Sequence, residues 1–431
     1  MSRKITRRQA IRTTLGAIAA PMIVDAATLG LAEAAPASER ITLGFIGTGK
    51  MANDYHLSTL PRYDDTHTLA VCDVSEARCK NAKRRVDAYE KRKNSAYGGC
   101  DMTDDFRKII ERDDIDAVCI ATPEHWHTIP LLSACIAGKD VYCEKPLTLT
   151  LRESQLCIEA ARKYKRVVQT GSQQRSSVFG PFRQACEIVR SGRLGKISKV
   201  TVGVGSSSKW CDLPEEEMEP GLNWDMWLGQ APVRPYNSAL SPRGVHNHFP
   251  AWRAYREYAG GGLADMGAHH FDIAQWALDM DESGPVAVHP PEDPTAKTGA
   301  KVVYANGIEV YHGGPSGCTF TGTEGTMYIN RGHLSSDPEA ITKEPIADNE
   351  VHLFESRDHH RNWLDCVKSR QRPVAEVEVG ARSVAVCHLL NLAYWNRRSY
   401  TYDPKNWCFD NETDNQDLDR ERRDPWQLPV V

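Results

Sequence analysis

The chain has 431 residues, 41% of them hydrophobic and 26% charged, with a formal net charge of −4. That composition supplies apolar side chains for more than one core and excludes a fibrous or disordered chain, and the length exceeds the ~150 residues usual for one domain. Positions 1–34 carry a net charge of +3, leaving −7 on the rest; the acidic body lacks the clustered Lys and Arg that binding to nucleic acid draws on, so no nucleic-acid partner is expected.

In chain order, residues 1–34 read first, as a signal peptide. A basic start through Arg12 precedes an uncharged stretch at 13–24 and the A-x-A pattern Ala32-Glu33-Ala34, the three parts of an export signal. The stretch falls short of the ~20 residues that a membrane helix needs, so no stable membrane anchor is expected. Thr6-Arg7-Arg8-Gln9-Ala10 resembles the twin-arginine signature, which points to a periplasmic or otherwise exported protein that folds before export. An ordinary secretory signal, or an amphipathic start to the first domain, is the alternative. Thirteen cysteines, with Cys72, Cys119 and Cys143 inside apolar runs and no C-x-x-C, predict reduced core residues rather than a disulfide framework.

Residues 40–170 form the first predicted domain. Apolar runs at 41–46, 67–72, 115–121, 140–143 and 166–169 alternate with helical patterns, which predicts a doubly wound parallel sheet with ligands at the strand C-terminal ends. The first run ends in Gly47-Thr48-Gly49-Lys50-Met51-Ala52. This G-x-G-x-x-A turn lets backbone N–H groups approach a pyrophosphate at a helix N-terminus. Asp73 ends the second run, 21 residues after Ala52, where a carboxylate accepts hydrogen bonds from both ribose hydroxyls and repels a 2′-phosphate, favouring NAD over NADP. A glycine turn with a surface aspartate is the plainer reading. The third run ends at Thr122-Pro123, with His127 just beyond, and the fourth at Glu144-Lys145-Pro146. There the proline ends the strand and holds the lysine beside the expected nicotinamide.

Residues 171–402 change texture. Strand patterns richer in polar residues and glycine at 196–205, 300–312 and 317–330, with helices at 358–369 and 379–394, predict an α+β domain with a largely antiparallel open sheet. The polar tail at 403–431 is expected to be extended. The aromatic and histidine-rich stretch 210–276 is too long for a structureless loop and is expected to wall the active site. Within it Gly260-Gly261-Gly262 precedes Asp265 and His269. Spacing of four puts both on one helical face, where a carboxylate can orient an imidazole that accepts a proton. A capping aspartate and a packed histidine would give the same pattern. Asp265, His269, His270, His246 and His248 could also ligate a metal, but no paired-histidine helix motif of the zinc hydrolases occurs, so none is expected.

Three segments, GFIGTGKMA, CIATPEHWHTIPLLSACIAGKDVYCEKPLT and GGGLADMGAHHFDIAQWAL, resemble the Gfo/Idh/MocA oxidoreductases, and the resemblance runs over 41–402. It implies a Rossmann nucleotide-binding domain carrying Thr122, Pro123, His127 and Glu144 near the cofactor, then a C-terminal α/β domain whose open sheet mediates homo-oligomerisation, as a dimer or tetramer. The family's lysine, aspartate and histidine match Lys145, Asp265 and His269. Two features depart from simple cytosolic members: the export signal, and a longer, more aromatic stretch at 210–256. The expected activity is NAD-dependent oxidoreduction at a secondary hydroxyl or ketone of a sugar, polyol or glycoside. His269 would take the hydroxyl proton, Lys145 would stabilise charge on the oxygen, and Asp265 would set the state of His269. Arg175, Trp252, Arg253 and His270 are candidates for substrate hydroxyls, since aromatic faces and guanidinium forks suit sugars. Two other readings stay open. One is a hydrolase or lyase that uses bound NAD through a transient 3-keto sugar; the other is a non-catalytic nucleotide- and sugar-binding protein.

Overall fold

The computed structural model describes residues 39–94, 96–177 and 179–431; the export-signal reading lies outside them. Six short strands open the described chain: β1 (Ile41–Ile46), β2 (Thr66–Cys72), β3 (Asp101–Thr103), β4 (Ala117–Ile120), β5 (Asp140–Cys143) and β6 (Val168–Thr170). All pair in parallel, in the order β3-β2-β1-β4-β5-β6. Every residue of β4 and β5 is buried, as expected of strands covered on both faces. The order reverses between β1 and β4, the point where such sheets leave a crevice for a ligand. Strand β3 was not anticipated: its sequence, Asp101-Met102-Thr103, is mostly exposed at the sheet edge, where no apolar run is required.

The second sheet has eight strands: β7 (Ile197–Gly203), β8 (Ala287–His289), β9 (Lys301–Val303), β10 (Glu309–Gly322), β11 (Thr326–Asn330), β12 (His333–Asp337), β13 (Tyr400–Asp403) and β14 (Cys408–Phe409). Its path runs β12-β11-β10-β9-β8-β13-β14, with β7 paired to β10. One face carries Val200, Val302, Val310, Phe320 and Ile329, all fully buried beneath the helices Gly261–Ala277 and Val377–Asn396. Residues 269–277 are buried on all sides in helix Gly261–Ala277, because this helix lies between the sheet and its helical neighbours.

Two late segments cross the predicted domain boundaries. Helix His359–Ser369 packs on the first sheet, where buried Trp363 meets Tyr142 edge-on at 5.6 Å between ring centres. The tail at 403–431 is folded back rather than extended. Arg422 pairs with buried Glu153 at 2.7 Å, Arg423 with Asp225 at 2.6 Å, and Trp426 packs edge-on against Trp126 at 4.9 Å. The tail thus ties the 210–276 stretch to the first domain. All thirteen cysteines are free, eleven of them buried, matching the sequence reading. Among the described residues no helix is long and apolar enough to cross a membrane.

Candidate active site

The C-terminal ends of β1, β2, β4 and β5 open into a cleft of about 400 Å³, walled on its far side by residues of the 210–276 stretch. Its floor starts at the glycine loop. Gly47 has φ of 84°, and a Cβ there would stand 2.7 Å from Thr122 N and 2.8 Å from the Ala121 carbonyl carbon, so only glycine lets the loop cross β4 so closely. Among the described residues nothing lies within 4 Å of the place a Cβ would take on Gly49, which leaves its backbone open to a ligand. Lys50 and Met51 line the cleft. Thr48 and Ala52 do not: Ala52 is fully buried beneath the loop, and Thr48 turns toward Asp73.

Asp73 stands at the end of β2, as expected, but much of it is already engaged. Its Oδ2 accepts from Thr48 N at 2.8 Å and Thr48 Oγ1 at 3.1 Å, and its Oδ1 accepts from Ser75 N at 2.9 Å. A carboxylate offers about four lone-pair sites, so about one remains for a ribose hydroxyl rather than the two anticipated. Arg78, 4.0 Å from Asp73, donates to Gly244 O and Ser241 Oγ, both at 3.1 Å, and to Pro242 O. Lys50 Nζ reaches Asn247 Oδ1 at 2.9 Å and lies over the Phe249 ring. These contacts fasten the 241–249 loop across the Asp73 end of the cleft.

The opposite end gathers the chemistry. After β4, Thr122 and Pro123 line the cleft, and the His127 ring bridges Thr122 O (2.9 Å) and Pro146 O (2.6 Å), linking the ends of β4 and β5. A π-helical turn at Ala52–His56 sets His56 Nε2 3.1 Å from Glu144 Oε1, which also accepts from Gln173 Nε2 at 2.8 Å. Burial alone would raise the Glu144 carboxyl, but His56 and Lys145 hold it below its ordinary value. Lys145 Nζ donates to Asp265 O at 2.8 Å and to Asp265 Oδ1 at 2.7 Å. The Asp265 carboxyl, also opposed by burial, is held low by Lys145 and by Arg253 at 3.6 Å. His269 lines the cleft one helical turn on; burial first, then the Lys145 charge, keep its ring far below the usual histidine value and therefore neutral. Its Nδ1 is sealed from solvent and has no hydrogen-bond partner among the described residues, which leaves Nε2 as the nitrogen open to the cleft.

This geometry revises three expectations. Asp265 shares a helical face with His269, yet its carboxylate goes to Lys145: the ammonium is a far stronger partner than a neutral imidazole. Arg175 is not in the cleft; buried to 2% exposure, it forks onto Asp272 (2.9 and 3.0 Å) and Asp281 (2.6 and 3.0 Å) and lies over Trp276. His270 faces away from the cleft, with Phe182 and Cys318 for neighbours, and burial pushes it down to about 4. Trp252 and Arg253 do line the cleft, the guanidinium stacked 4.2 Å over the Trp252 ring. His246 lines it too, at the Asp73 end, while the His248 ring packs tilted against that of His246, outside it. Among the described residues no three His, Cys, Asp or Glu side chains converge to hold a metal.

Sequence reasoning missed Gln173, Arg331 and Glu124. Gln173 and Arg331 line the cleft, but single residues in a turn after a strand carry no spacing signal. Glu124 is fully buried, accepts from Gly260 N at 2.9 Å at the start of the Asp265 helix, and is pushed up to about 8 by burial. A single glutamate in Pro123-Glu124-His125 carries no spacing signal either.

Known proteins bear on this arrangement in three ways. Residues 41–172 match the model of the oxidoreductase family NAD-binding Rossmann fold, and residues 180–428 match that of the family's C-terminal alpha/beta domain. Among curated relatives, "Glycosyl hydrolase family 109 protein 1" of Shewanella sp. (strain ANA-3) is 28% identical over 162 residues, 38% of this chain and 34% of that protein. "Alpha-N-acetylgalactosaminidase" of Shewanella oneidensis is 30% identical over 132 residues, 31% of this chain and 28% of that protein. The chain therefore matches only about a third of these relatives' length. Among solved structures, the WlbA dehydrogenase of Bordetella pertussis, in complex with NADH and UDP-GlcNAcA, superposes with a TM-score of 0.58 at 16% identity, covering 84% of this chain and 99% of that one. The aldose-aldose oxidoreductase of Caulobacter crescentus gives 0.56 at 18%, covering 84% and 99%. At such identities the structural likeness speaks for the fold, while the family models span both halves of the chain. The cleft between the glycine loop and the Lys145–Asp265 pair is that of a Gfo/Idh/MocA family oxidoreductase, and the chain belongs to that family.

Proposed function

We propose that this protein oxidises a secondary hydroxyl of a sugar, polyol or glycoside, or reduces the corresponding ketone, with NAD as its cofactor. The observation that carries the reading is the Lys145–Asp265 pair and the neutral His269 ring at one end of a cleft whose other end is the glycine loop and Asp73. The residues present fit a dinucleotide: Gly49 leaves its backbone free, the carboxylate of Asp73 disfavours a 2′-phosphate, and Arg78 beside it is already engaged by Ser241, Pro242 and Gly244. When bound, the nicotinamide supplies the hydride acceptor or donor. In the oxidative direction His269 Nε2 takes the hydroxyl proton. The Lys145 ammonium, aimed by the backbone carbonyl and the Oδ1 of Asp265, donates to the same oxygen and stabilises the charge that develops there. Trp252 and Arg253 offer a flat face and a donor fork to the ring of the substrate.

The relatives called glycosyl hydrolase family 109 and alpha-N-acetylgalactosaminidase favour a second reading, in which one glycoside is oxidised, cleaved and reduced again without net change of NAD. The 241–249 loop fastened over the Asp73 end suits a nucleotide that stays bound through such a cycle. Export through a twin-arginine-type signal in residues 1–34, and a working homo-oligomer, belong to the same proposal. An exported compartment holds little free NAD, so the cofactor would be loaded before export. Replacing Arg7 and Arg8 by Lys should then retain the folded, nucleotide-loaded precursor in the cytoplasm. Product analysis separates the readings: net turnover of added NAD supports the dehydrogenase, and release of free sugar with no net NAD change supports the closed cycle. Neither product from any sugar or glycoside, by a protein that still binds one, would leave the non-catalytic reading.

A further inference from the structure

Arg331 sits in the turn between β11 and β12, exposed at the rim of the cleft. Two contacts hold it. Its Nε donates to Gln174 Oε1 at 3.0 Å, and its guanidinium stacks 4.5 Å over the Phe179 ring. The turn is pinned in turn by Gly332 N donating to Phe179 O at 3.0 Å, and Gln174 reaches the His269 carbonyl at 3.3 Å. A guanidinium fixed through Nε and one face presents its two terminal nitrogens as a fork. Among the described residues those nitrogens have no hydrogen-bond acceptor. The charge of Arg331 is nevertheless felt at both Asp265 and His269.

The surrounding charge is unbalanced. Lys145, Arg253 and Arg331 stand at this end of the cleft against Asp265 and Glu144. Asp265 is taken by Lys145, and Glu144 is turned to His56 and Gln173. The other carboxylates of the cleft, Asp73 and Asp104, stand with the β2 end. A neutral sugar would leave the preset fork facing hydroxyl oxygens only, whereas a carboxylate or phosphate matches its geometry and supplies the missing charge.

We propose that the substrate is an anionic sugar, whose carboxylate or phosphate group is held by the terminal nitrogens of Arg331 while its reacting hydroxyl lies between Lys145 and His269. This rests on the redox reading above and names the substrate class for the same site. Arg331 then determines specificity without taking part in the proton or hydride transfer.

The test uses the full protein as purified. A hexuronate, a hexose phosphate and the matching neutral hexose are each titrated by calorimetry, and the nicotinamide absorbance is followed in parallel. Wild type should bind at least one acidic probe about tenfold or more tighter than the neutral hexose, with the advantage shrinking as salt rises. The better acidic probe tells carboxylate from phosphate. Arg331→Gln should erase that advantage while melting at the wild-type temperature; Arg331→Lys should keep part of it as a point charge. Equal binding of neutral and acidic probes by wild type, or an acidic preference that survives Arg331→Gln, would overturn the proposal. Arg331-dependent binding of an acidic sugar with no absorbance change from any probe would uphold the anion site and count against the redox reading instead.

Discussion

Acidification from about pH 7 to about pH 5 should remove much of this protein's stability, because the fold buries histidines as neutral rings. His125 and His359 are fully buried, His270 is 1% exposed and His388 5%. Burial holds His125 and His388 down to about 3, and His270 and His359 down to about 4, from an ordinary 6.5. Each stays neutral when folded and takes a proton once unfolded. Stability is therefore complete above about pH 6.5 and is lost as pH falls through that value. At pH 5 each histidine costs about 2 kcal/mol, so the four together cost about 8 kcal/mol. Glu124 acts in the opposite sense: held up to about 8 by burial, it is protonated in the folded state and returns about 2 kcal/mol over the same drop. The lowered carboxyls of Asp265 and Glu144 contribute their losses only at lower pH. A net loss of about 6 kcal/mol is comparable with the ~5–15 kcal/mol total of a typical folded protein. Urea unfolding followed by the fluorescence of the ten tryptophans at a series of pH values measures it. The His388→Gln variant, which keeps a polar group for Thr148, should lower the slope against pH by about one proton. An unfolding free energy that is flat from pH 7 to pH 5 would refute the reasoning.

Other perturbations address the site. Lys145→Ala or His269→Ala should lower kcat by about two to four orders of magnitude while nucleotide binding stays nearly intact, as turnover and nucleotide titration would measure. Asp73→Ala should weaken NAD by about tenfold and relax the exclusion of NADP, and an unchanged ratio of the two dissociation constants would contradict the assignment. Arg175→Gln should cost about 3–5 kcal/mol of stability by leaving Asp272 and Asp281 unpaired, with the KM for substrate unchanged in whatever protein folds. A raised KM at full stability would return Arg175 to the substrate site.

Much of this architecture was readable because the physics of its parts is local. β1, β4 and β5 are buried on both faces, so their apolar runs stood out; Gly47 and Lys145 follow the runs of β1 and β5, and Asp73 follows that of β2. Two kinds of feature escaped. Strand β3 and the folded-back tail are held by edge pairing and by single long-range contacts, such as Arg422 to Glu153, which leave no periodic trace. The partner of Asp265 was misjudged because helical spacing reports only neighbours on one helix, whereas Lys145 arrives from a strand 120 residues earlier. For the same reason Arg175 and His270, plausible by residue type, proved to be buried elsewhere, and Arg331, unremarkable in sequence, emerged at the rim of the cleft only in three dimensions.

The claim on which the rest depends is that Lys145 and His269 work on a sugar beside a bound nicotinamide. Its most direct test is a single-turnover measurement on the purified protein: identify the extracted nucleotide, then mix the loaded protein rapidly with sugars and follow the absorbance of reduced nicotinamide. The account predicts that NAD or NADH is extracted and that at least one sugar changes the absorbance in wild type, at a rate about a hundredfold or more lower in Lys145→Ala. A wild-type rate in Lys145→Ala, or no absorbance change with any sugar in a protein carrying a full complement of nucleotide, would contradict it.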